Sequence, residues 1–119
     1  MEMKTHKDLD CWKNSINLVK SICELTSKFP KEEIFGLTSQ LRRAVVSVPS
    51  NIAEGSARNS KKEFIQFLYI ASGSLSEIET QIIISKELQF IEETKFDFLM
   101  NNLNLIRAQL IGLIKYLKK

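Results

Sequence analysis

The sequence contains a single histidine, His6, among its 119 residues. A His-centred catalytic triad and a His-ligated metal site are therefore difficult to assemble. Gly-rich phosphate loops, Cys-x-x-Cys pairs and the Glu-x-x-His motifs of di-metal bundles are also absent from the sequence. We therefore predict a protein that is not an enzyme and that uses no metal or cofactor. Glu54 and Glu77, on helices expected to be neighbours, are the remaining candidates for acid–base chemistry.

Cysteines are few, and long apolar runs are missing. Twelve residues of one predicted helix separate Cys11 from Cys23, which places them about 18 Å apart and beyond disulfide reach. No stretch approaches the roughly 20 apolar residues that a membrane span needs. The segment MEMKTHKDLD lacks the apolar centre of a signal peptide. These features predict a cytoplasmic protein with reduced thiols and no membrane partner.

Proline and glycine, which interrupt helices, number only 2 and 4. This scarcity, together with 44% hydrophobic and 26% charged residues, is typical of an ordered helical protein. Apolar residues recur at helical spacing in four segments, which predicts helices at about 8–29, 37–58, 61–88 and 95–118. Short connections make successive helices antiparallel. We therefore predict an all-α fold, an antiparallel up-down four-helix bundle, as a single domain over residues 1–119.

Each predicted helix carries an apolar stripe that should face the core. The first stripe comprises Leu9, Trp12, Ile16, Val19, Ile22 and Leu25. The others comprise Leu37, Leu41, Val45, Val48, Ile52, then Phe64, Leu68, Ala71, Leu75, Ile78, Ile82, then Phe96, Leu99, Leu103, Ile106, Leu110, Leu113 and Leu117. Further apolar residues fall outside the stripes, namely Ile65, Tyr69, Ile83, Phe98, Leu105, Ile111 and Ile114. They either widen the core face or form a subunit interface, and we predict a homo-oligomer.

An ordered polar row follows the second predicted helix beside its apolar stripe. The row comprises Gln40, Ser47, Asn51, Glu54 and Arg58. An ordinary surface helix shows a looser scatter of charged residues, so the row indicates either a structural polar network or a subunit or partner interface. Gly55 within the helix should permit close approach of a neighbouring helix. Glu77 on the third helix is placed to reach the row.

Basic residues concentrate in one part of the chain, although the net charge is only +3. Between residues 39 and 62, five cations stand against Glu54 alone: Arg42, Arg43, Arg58, Lys61 and Lys62. Such a concentration is typical of a phosphate-binding surface. The alternative is that these side chains solubilise the bundle and pair with acids on neighbouring helices. Because no aromatic residue is interleaved with them, bases have no evident stacking platform.

The run LTSQLRRAVVSVPSNIAEGSARNSKKEFIQFLYIASGSLSEIETQI resembles the four-helix-bundle family of proteins encoded within intervening sequences of bacterial 23S ribosomal RNA genes. Specific motifs carry the resemblance over about 35–91, and pattern alone extends it to the flanking helices. The motif residues are Gln40, Leu41, Arg43, Ala44, Ser47, Pro49, Asn51, Ile52, Ala53, Glu54, Gly55, Arg58, Ala71, Gly73, Ser74, Leu75, Glu77 and Glu79.

This resemblance implies an antiparallel up-down bundle that assembles as a ring-shaped homopentamer. It also implies kinship with the accessory variability proteins of diversity-generating retroelements, which are basic pentameric rings that associate with nucleic acid and a reverse transcriptase. We therefore predict a non-enzymatic oligomeric bundle that binds structured RNA through the five cations above, by shape rather than by base sequence. The alternative is a protein-interaction scaffold whose polar row lines a subunit or partner interface.

Overall fold

The computed structural model of this protein describes residues 5–119. A 3₁₀ turn (His6–Asp8) precedes helix α1, Asp10–Thr26. A second 3₁₀ turn and one π-helical turn connect α1 to the second helix, over Lys31–Glu33 and Ile34–Thr38. The remaining helices are α2 (Ser39–Ser56), α3 (Lys61–Glu87) and α4 (Glu93–Leu117). Within the part of the chain that the structure describes there are four α-helices and no strands, which confirms the all-α prediction.

The four helices form an elongated bundle of 44 × 25 × 19 Å in which α1, α2, α3 and α4 follow one another around the core. Hydrogen bonds between neighbouring helices fix the register. On one side Gln40 pairs with Gln81 and Ser47 with Ser74, so residue numbers rise along α2 as they fall along α3. These two helices are therefore antiparallel. The start of α1, the end of α2, the start of α3 and the end of α4 consequently lie at one end of the bundle.

Local sequence explains where the long helices begin and end. Helix α1 ends at Thr26. The chain cannot extend this helix to Pro30, because the proline ring disfavours helical backbone in the preceding residue, Phe29. Helix α2 runs through Pro49 without interruption. Ser60 caps α3, since its hydroxyl oxygen accepts a hydrogen bond from the backbone N–H of Glu63 at 3.2 Å.

The predicted stripes of α2, α3 and α4 form most of the core. Their central members are fully buried, among them Leu41, Val45, Val48, Ile52, Leu68, Leu75, Ile78, Ile82, Leu99, Leu103, Ile106 and Leu110. The residues at the ends of the stripes, including Leu37, Phe96, Leu113 and Leu117, are half-buried against this core. Two of the surplus apolar residues also belong to it, because Ile114 is buried and Ile65 packs on its edge.

The predicted stripe of α1 is confirmed at Ile22 and Leu25 but is wrong nearer the start of the helix. The residues that α1 buries are Cys11, Ser15, Leu18, Ile22, Leu25 and Thr26. Leu9, Trp12 and Val19 lie half-buried on the flank of the core instead. Ser15 tolerates a core position because its hydroxyl donates to the carbonyl of Trp12 at 2.8 Å, so its polar group is satisfied within its own helix.

The remaining surplus apolar side chains, together with Ile70, Ile84 and Tyr116, lie on the surface of α3 and α4. Their exposed fractions lie between 41% and 68%: Tyr69, Ile70, Ile83, Ile84, Phe98, Leu105, Ile111 and Tyr116. No helix in the described residues 5–119 is long and apolar enough to cross a membrane.

Candidate nucleic-acid interface

The five predicted phosphate-binding residues do not form one patch. Arg42 and Arg43 lie near the start of α2, whereas Arg58, Lys61 and Lys62 lie beyond its last turn and at the start of α3. The rise of an α-helix places Arg42 and Arg58 about 24 Å apart along the axis. Sequence clustering suggested a single surface, but the extended helix divides the set between opposite ends of the bundle.

The end that holds Arg58, Lys61 and Lys62 also collects cations from the first and last helices. We define the basic end as the described residues up to 13, residues 54–63 and residues 115–119. Its basic side chains number eight, namely Lys7, Lys13, Arg58, Lys61, Lys62, Lys115, Lys118 and Lys119. Its acidic side chains number four: Asp8, Asp10, Glu54 and Glu63. The basic end therefore carries a net positive charge larger than that of the whole protein.

Some of these cations are engaged within the chain, and others are not. Arg58 forms an ion pair with Glu54 at 2.8 Å, and its guanidinium lies over the ring of Phe67. The ammonium of Lys118 donates to the Tyr69 hydroxyl at 3.0 Å, which joins the end of α4 to α3. The ion pairs found in residues 5–119 leave out Lys61, Lys62, Lys115 and Lys119. These four exposed ammonium groups are available to an anionic partner.

Lys61 and Lys62 occupy positions that helix electrostatics disfavours. They are the first two residues of α3, a helix of 27 residues. A helix N-terminus carries partial positive charge and prefers acidic side chains, so a lysine there typically costs about 0.3–1 kcal/mol. Fold stability therefore does not account for this pair. A bound phosphate would instead be attracted both by the ammonium groups and by the helix terminus.

The opposite end of the bundle has a different charge balance. Arg42 there is partly engaged, because its Nε donates to the hydroxyl oxygen of the buried Thr26 at 2.9 Å and links α2 to α1. Over residues 24–43 and 84–97, seven acidic side chains stand against six basic ones. Lys86 pairs with Glu93, and this hydrogen bond raises the pKa of Lys86. This end therefore offers phosphates no comparable attraction.

The predicted polar row lies along the seam between α2 and α3. Ser47 and Ser74 hydroxyls are 2.6 Å apart, and the Asn51 amide donates to the carbonyl of Ser47 at 2.7 Å. At the ends of the row, Gln40 accepts a long hydrogen bond from Gln81, and Glu54 pairs with Arg58. The row thus joins two helices of one chain, with its outer residues exposed.

Gly55 is the point in this seam where α3 leaves no room for a side chain. A Cβ atom at Gly55 would lie 2.6 Å from Cβ of Phe67 and 3.0 Å from the ring of Phe64. Real Cβ atoms do not approach other atoms this closely, so a larger residue forces the helices apart. The prediction that Gly55 permits close helix approach is confirmed.

A shallow groove opens on the same seam, one turn into α2. Its lining residues are Gln40, Arg43, Ala44, Ser47 and Glu77. Next to two of these residues lies Gln81, which is 6% exposed and donates to the Glu77 carboxylate at 3.2 Å. Gln81 was missed by the sequence analysis, although its position four residues after Glu77 places both on one face of α3.

The alternative of a two-carboxylate acid–base site is not supported by the register. Because Ser74 lies opposite Ser47, Glu77 is level with Ala44, and Glu54 is about 15 Å further along α2.

Burial raises the pKa of the Cys11 thiol to about 11 and leaves it protonated near neutral pH. Residues 5–119 contain no cluster of His, Cys, Asp and Glu side chains arranged to hold a metal ion.

Comparison with known proteins identifies the family of this chain. Residues 7–112 match the family model described as 23S rRNA-intervening sequence protein. The chain belongs to this family. The chain is similar to a crystal structure of a protein with unknown function from the S23 ribosomal protein family of Bacteroides thetaiotaomicron VPI-5482. The two structures align with a TM-score of 0.82 and 24% sequence identity. The alignment covers 88% of the present chain and 95% of that one.

At 24% identity, the likeness to the Bacteroides protein shows a shared fold and nothing about activity. No curated protein matches the chain. The resemblance carried by the motif residues of α2 and α3 is therefore confirmed at the level of the 23S rRNA-intervening sequence protein family.

Proposed function

We propose that this member of the 23S rRNA-intervening sequence protein family is a non-enzymatic helical bundle that binds structured RNA through the phosphates. The basic end supplies the contacts, with Lys61 and Lys62 at its centre. Arg58 contributes where its ion pair with Glu54 opens. Arg42 and Arg43, at the far end of α2, are proposed as a second and separate point of contact.

One observation carries this proposal: two unpaired lysines occupy the first turn of α3, where they oppose the helix dipole. The surrounding cations of α1 and α4 support the same interpretation, because they concentrate positive potential at that end. The aromatic residue nearest to Lys61 and Lys62 along the chain, Phe64, is buried, so the phosphate contacts of these lysines position an RNA by its shape.

The test is fluorescence anisotropy of a labelled RNA hairpin at salt concentrations from 50 to 200 mM. We compare the wild-type protein with Lys61→Glu/Lys62→Glu. The matched control, Lys28→Glu/Lys31→Glu, makes the same charge change at the opposite end. We expect wild-type affinity to fall steeply with salt. The Lys61→Glu/Lys62→Glu variant should bind weakly, with the slope of log K against log salt reduced by about 2.

Two results would contradict the proposal in different ways. Absence of hairpin binding by the wild-type protein at 50 mM salt rules out RNA as the partner. Equal weakening in Lys28→Glu/Lys31→Glu shows that net charge alone matters and that the basic end is not the site. An Arg42→Glu/Arg43→Glu variant tests the second point of contact in the same assay.

A second candidate function is an interaction scaffold formed by copies of this chain, and the exposed apolar side chains of α3 and α4 favour it. The family resemblance favours a pentameric ring. Light scattering at micromolar concentration tests assembly, with Leu105→Glu as the variant and Gln66→Glu as a control of equal charge. We expect an oligomeric mass that Leu105→Glu lowers and the control retains. A monomeric wild-type mass removes this candidate.

A further inference from the structure

The groove between α2 and α3 contains two opposite charges that do not pair. Arg43 and Glu77 both line it, yet neither takes part in an ion pair found in residues 5–119. Both side chains are exposed, and the groove between them is shallow and open to solvent, with a volume of about 570 Å³. A guanidinium and a carboxylate that face one open space can both be satisfied by a group placed between them.

The polar residues beside the groove also leave one hydrogen-bond acceptor without a partner. The Gln81 amide nitrogen donates to both Glu77 and Gln40, which orients the Glu77 carboxylate. The Gln81 carbonyl oxygen is buried and has no hydrogen-bond partner in the structure. Buried polar atoms are nearly always hydrogen-bonded in folded proteins, so this unpaired acceptor is an exception, and it lies next to Gln40 and Glu77, which line the groove.

The two charges restrict what can fill this space. An anion that pairs with Arg43 is repelled by Glu77, and a cation that pairs with Glu77 is repelled by Arg43. A second copy of the same concave surface would leave the space between the copies empty. A thin neutral group with adjacent acceptors on one edge and adjacent donors on the next satisfies both side chains.

Guanine has this arrangement of atoms. Its O6 and N7 accept two hydrogen bonds from an arginine fork, while its N1–H and N2–H donate to a carboxylate. Adenine offers Arg43 one acceptor and Glu77 one donor at most along the corresponding edges. In RNA, unpaired bases in loops present these edges to proteins.

We propose that this groove binds the base of an unpaired guanine, with Arg43 on its O6 and N7 and Glu77 on its N1–H and N2–H. The inference rests on the proposed RNA-binding function and adds a base-specific contact to it. Arg43, predicted from sequence as a phosphate contact, becomes the residue that distinguishes guanine together with Glu77. The methyl group of Ala44 supplies an apolar contact within the groove.

The experiment uses labelled RNA hairpins with identical stems and uridine loops that contain one guanine, adenine or inosine. Anisotropy gives the affinity of wild type, Glu77→Gln and a matched control, Glu87→Gln, an exposed acid on the same helix. We expect wild type and the control to prefer the guanine loop over the adenine loop by about tenfold, the scale of one bidentate base contact. Inosine, which lacks the N2 amino group, should be intermediate. Glu77→Gln should lose the preference and retain its affinity for the adenine loop.

A second measurement separates failure of this site from failure of RNA binding. Guanosine and adenosine monophosphates are titrated into ¹⁵N-labelled protein, and the amide signals of Ala44 and Ser47 are followed. Shifts with the guanine nucleotide alone support the site even if no hairpin binds. Hairpin binding without guanine preference, or a preference that persists in Glu77→Gln, overturns the inference and leaves the proposed function in place. Absence of both binding and shifts overturns the two together.

Discussion

At the scale of single residues, helix-interior glycines in this bundle have opposite roles. A Cβ atom at Gly55 would collide with Phe67, whereas one at Gly73 meets nothing within 4 Å. Substitution by alanine removes the backbone entropy cost of glycine in both cases, worth about 1 kcal/mol. Only at Gly55 does it also force two packed helices apart.

We predict that Gly55→Ala lowers the free energy of unfolding by about 1–3 kcal/mol, the usual cost of overpacking. Gly73→Ala, the matched control on the facing helix, should raise it by up to about 1 kcal/mol. Urea denaturation followed by circular dichroism measures both. A rise in the free energy of unfolding in both variants would show that the seam can separate at no cost.

Cys11 gives the folded state a dependence on alkaline pH. Burial raises the pKa of its thiol from 9.0 to about 11, so the unfolded chain loses this proton before the folded chain does. The stabilising contribution is complete below pH 9 and is lost as pH rises toward 11. Between these values unfolding free energy should fall by about 1.4 kcal/mol per pH unit from this group.

Other groups also titrate in this range, so the prediction concerns the difference between wild type and Cys11→Ala. Measured by urea denaturation from pH 8.5 to 10.5, this difference should shrink steadily as pH rises. A constant difference would mean that the thiolate is tolerated in the core.

At the scale of helices, Lys61 and Lys62 are proposed to bind RNA but occupy positions where they destabilise α3. Replacing both with glutamate places acids in the first turn of α3, where they complement the helix dipole. We predict that Lys61→Glu/Lys62→Glu raises Tm by about 2–6 °C while it weakens RNA binding. Differential scanning calorimetry measures the change.

Lys28→Glu is the control for this effect, because Lys28 follows the C-terminus of α1 and complements the helix dipole there. It should lower Tm. If Lys61→Glu/Lys62→Glu also lowers Tm, the lysine pair stabilises the fold and the functional argument from its position fails.

Helical periodicity predicted the core faces of α2, α3 and α4 because their buried positions are occupied by large aliphatic residues. In α1 it was correct for Ile22 and Leu25 and wrong nearer the start, where the core positions include Cys11 and Ser15 and the flank includes Trp12 and Val19. Judged by hydrophobicity alone, the face with Trp12 and Val19 is the one expected in the core. The core position of Ser15 depends on its bond to a backbone carbonyl, which the residue pattern does not reveal.

The sequence predicted which polar residues share one face of α2, but it did not predict how the basic residues are distributed over the bundle. Spacing along one helix places Gln40, Ser47 and Asn51 on one face, and the structure aligns that face with α3. The grouping of Arg42 with Arg58 failed because residues close in sequence along a helix are separated by its rise. That Arg43 and Glu77 line one groove depended on interhelical register, which follows only from the packed structure.

At the scale of the whole molecule, the antiparallel arrangement assembles the basic end from segments far apart in sequence. Lys118 contacts Tyr69 on α3, so the end of α4 lies beside the start of α3. We predict that Lys115→Glu/Lys118→Glu weakens binding of the RNA hairpin to a similar extent as Lys61→Glu/Lys62→Glu, measured by anisotropy at one salt concentration. Lys20→Glu, in the middle of α1, serves as the control. Undiminished binding by the α4 variant would confine the site to α3.

The order of the helices around the core has a consequence for how quickly this chain folds. Three of the four packed helix pairs, α1 with α2, α2 with α3 and α3 with α4, join neighbours in sequence. Each can form by closing one short loop, which costs little chain entropy. Only the packing of α1 on α4 joins helices that are far apart in sequence, so it depends on the other three pairs to bring these helices together. Topologies dominated by such local contacts reach the native state in microseconds to milliseconds, which leaves newly made chains little time with their apolar stripes exposed.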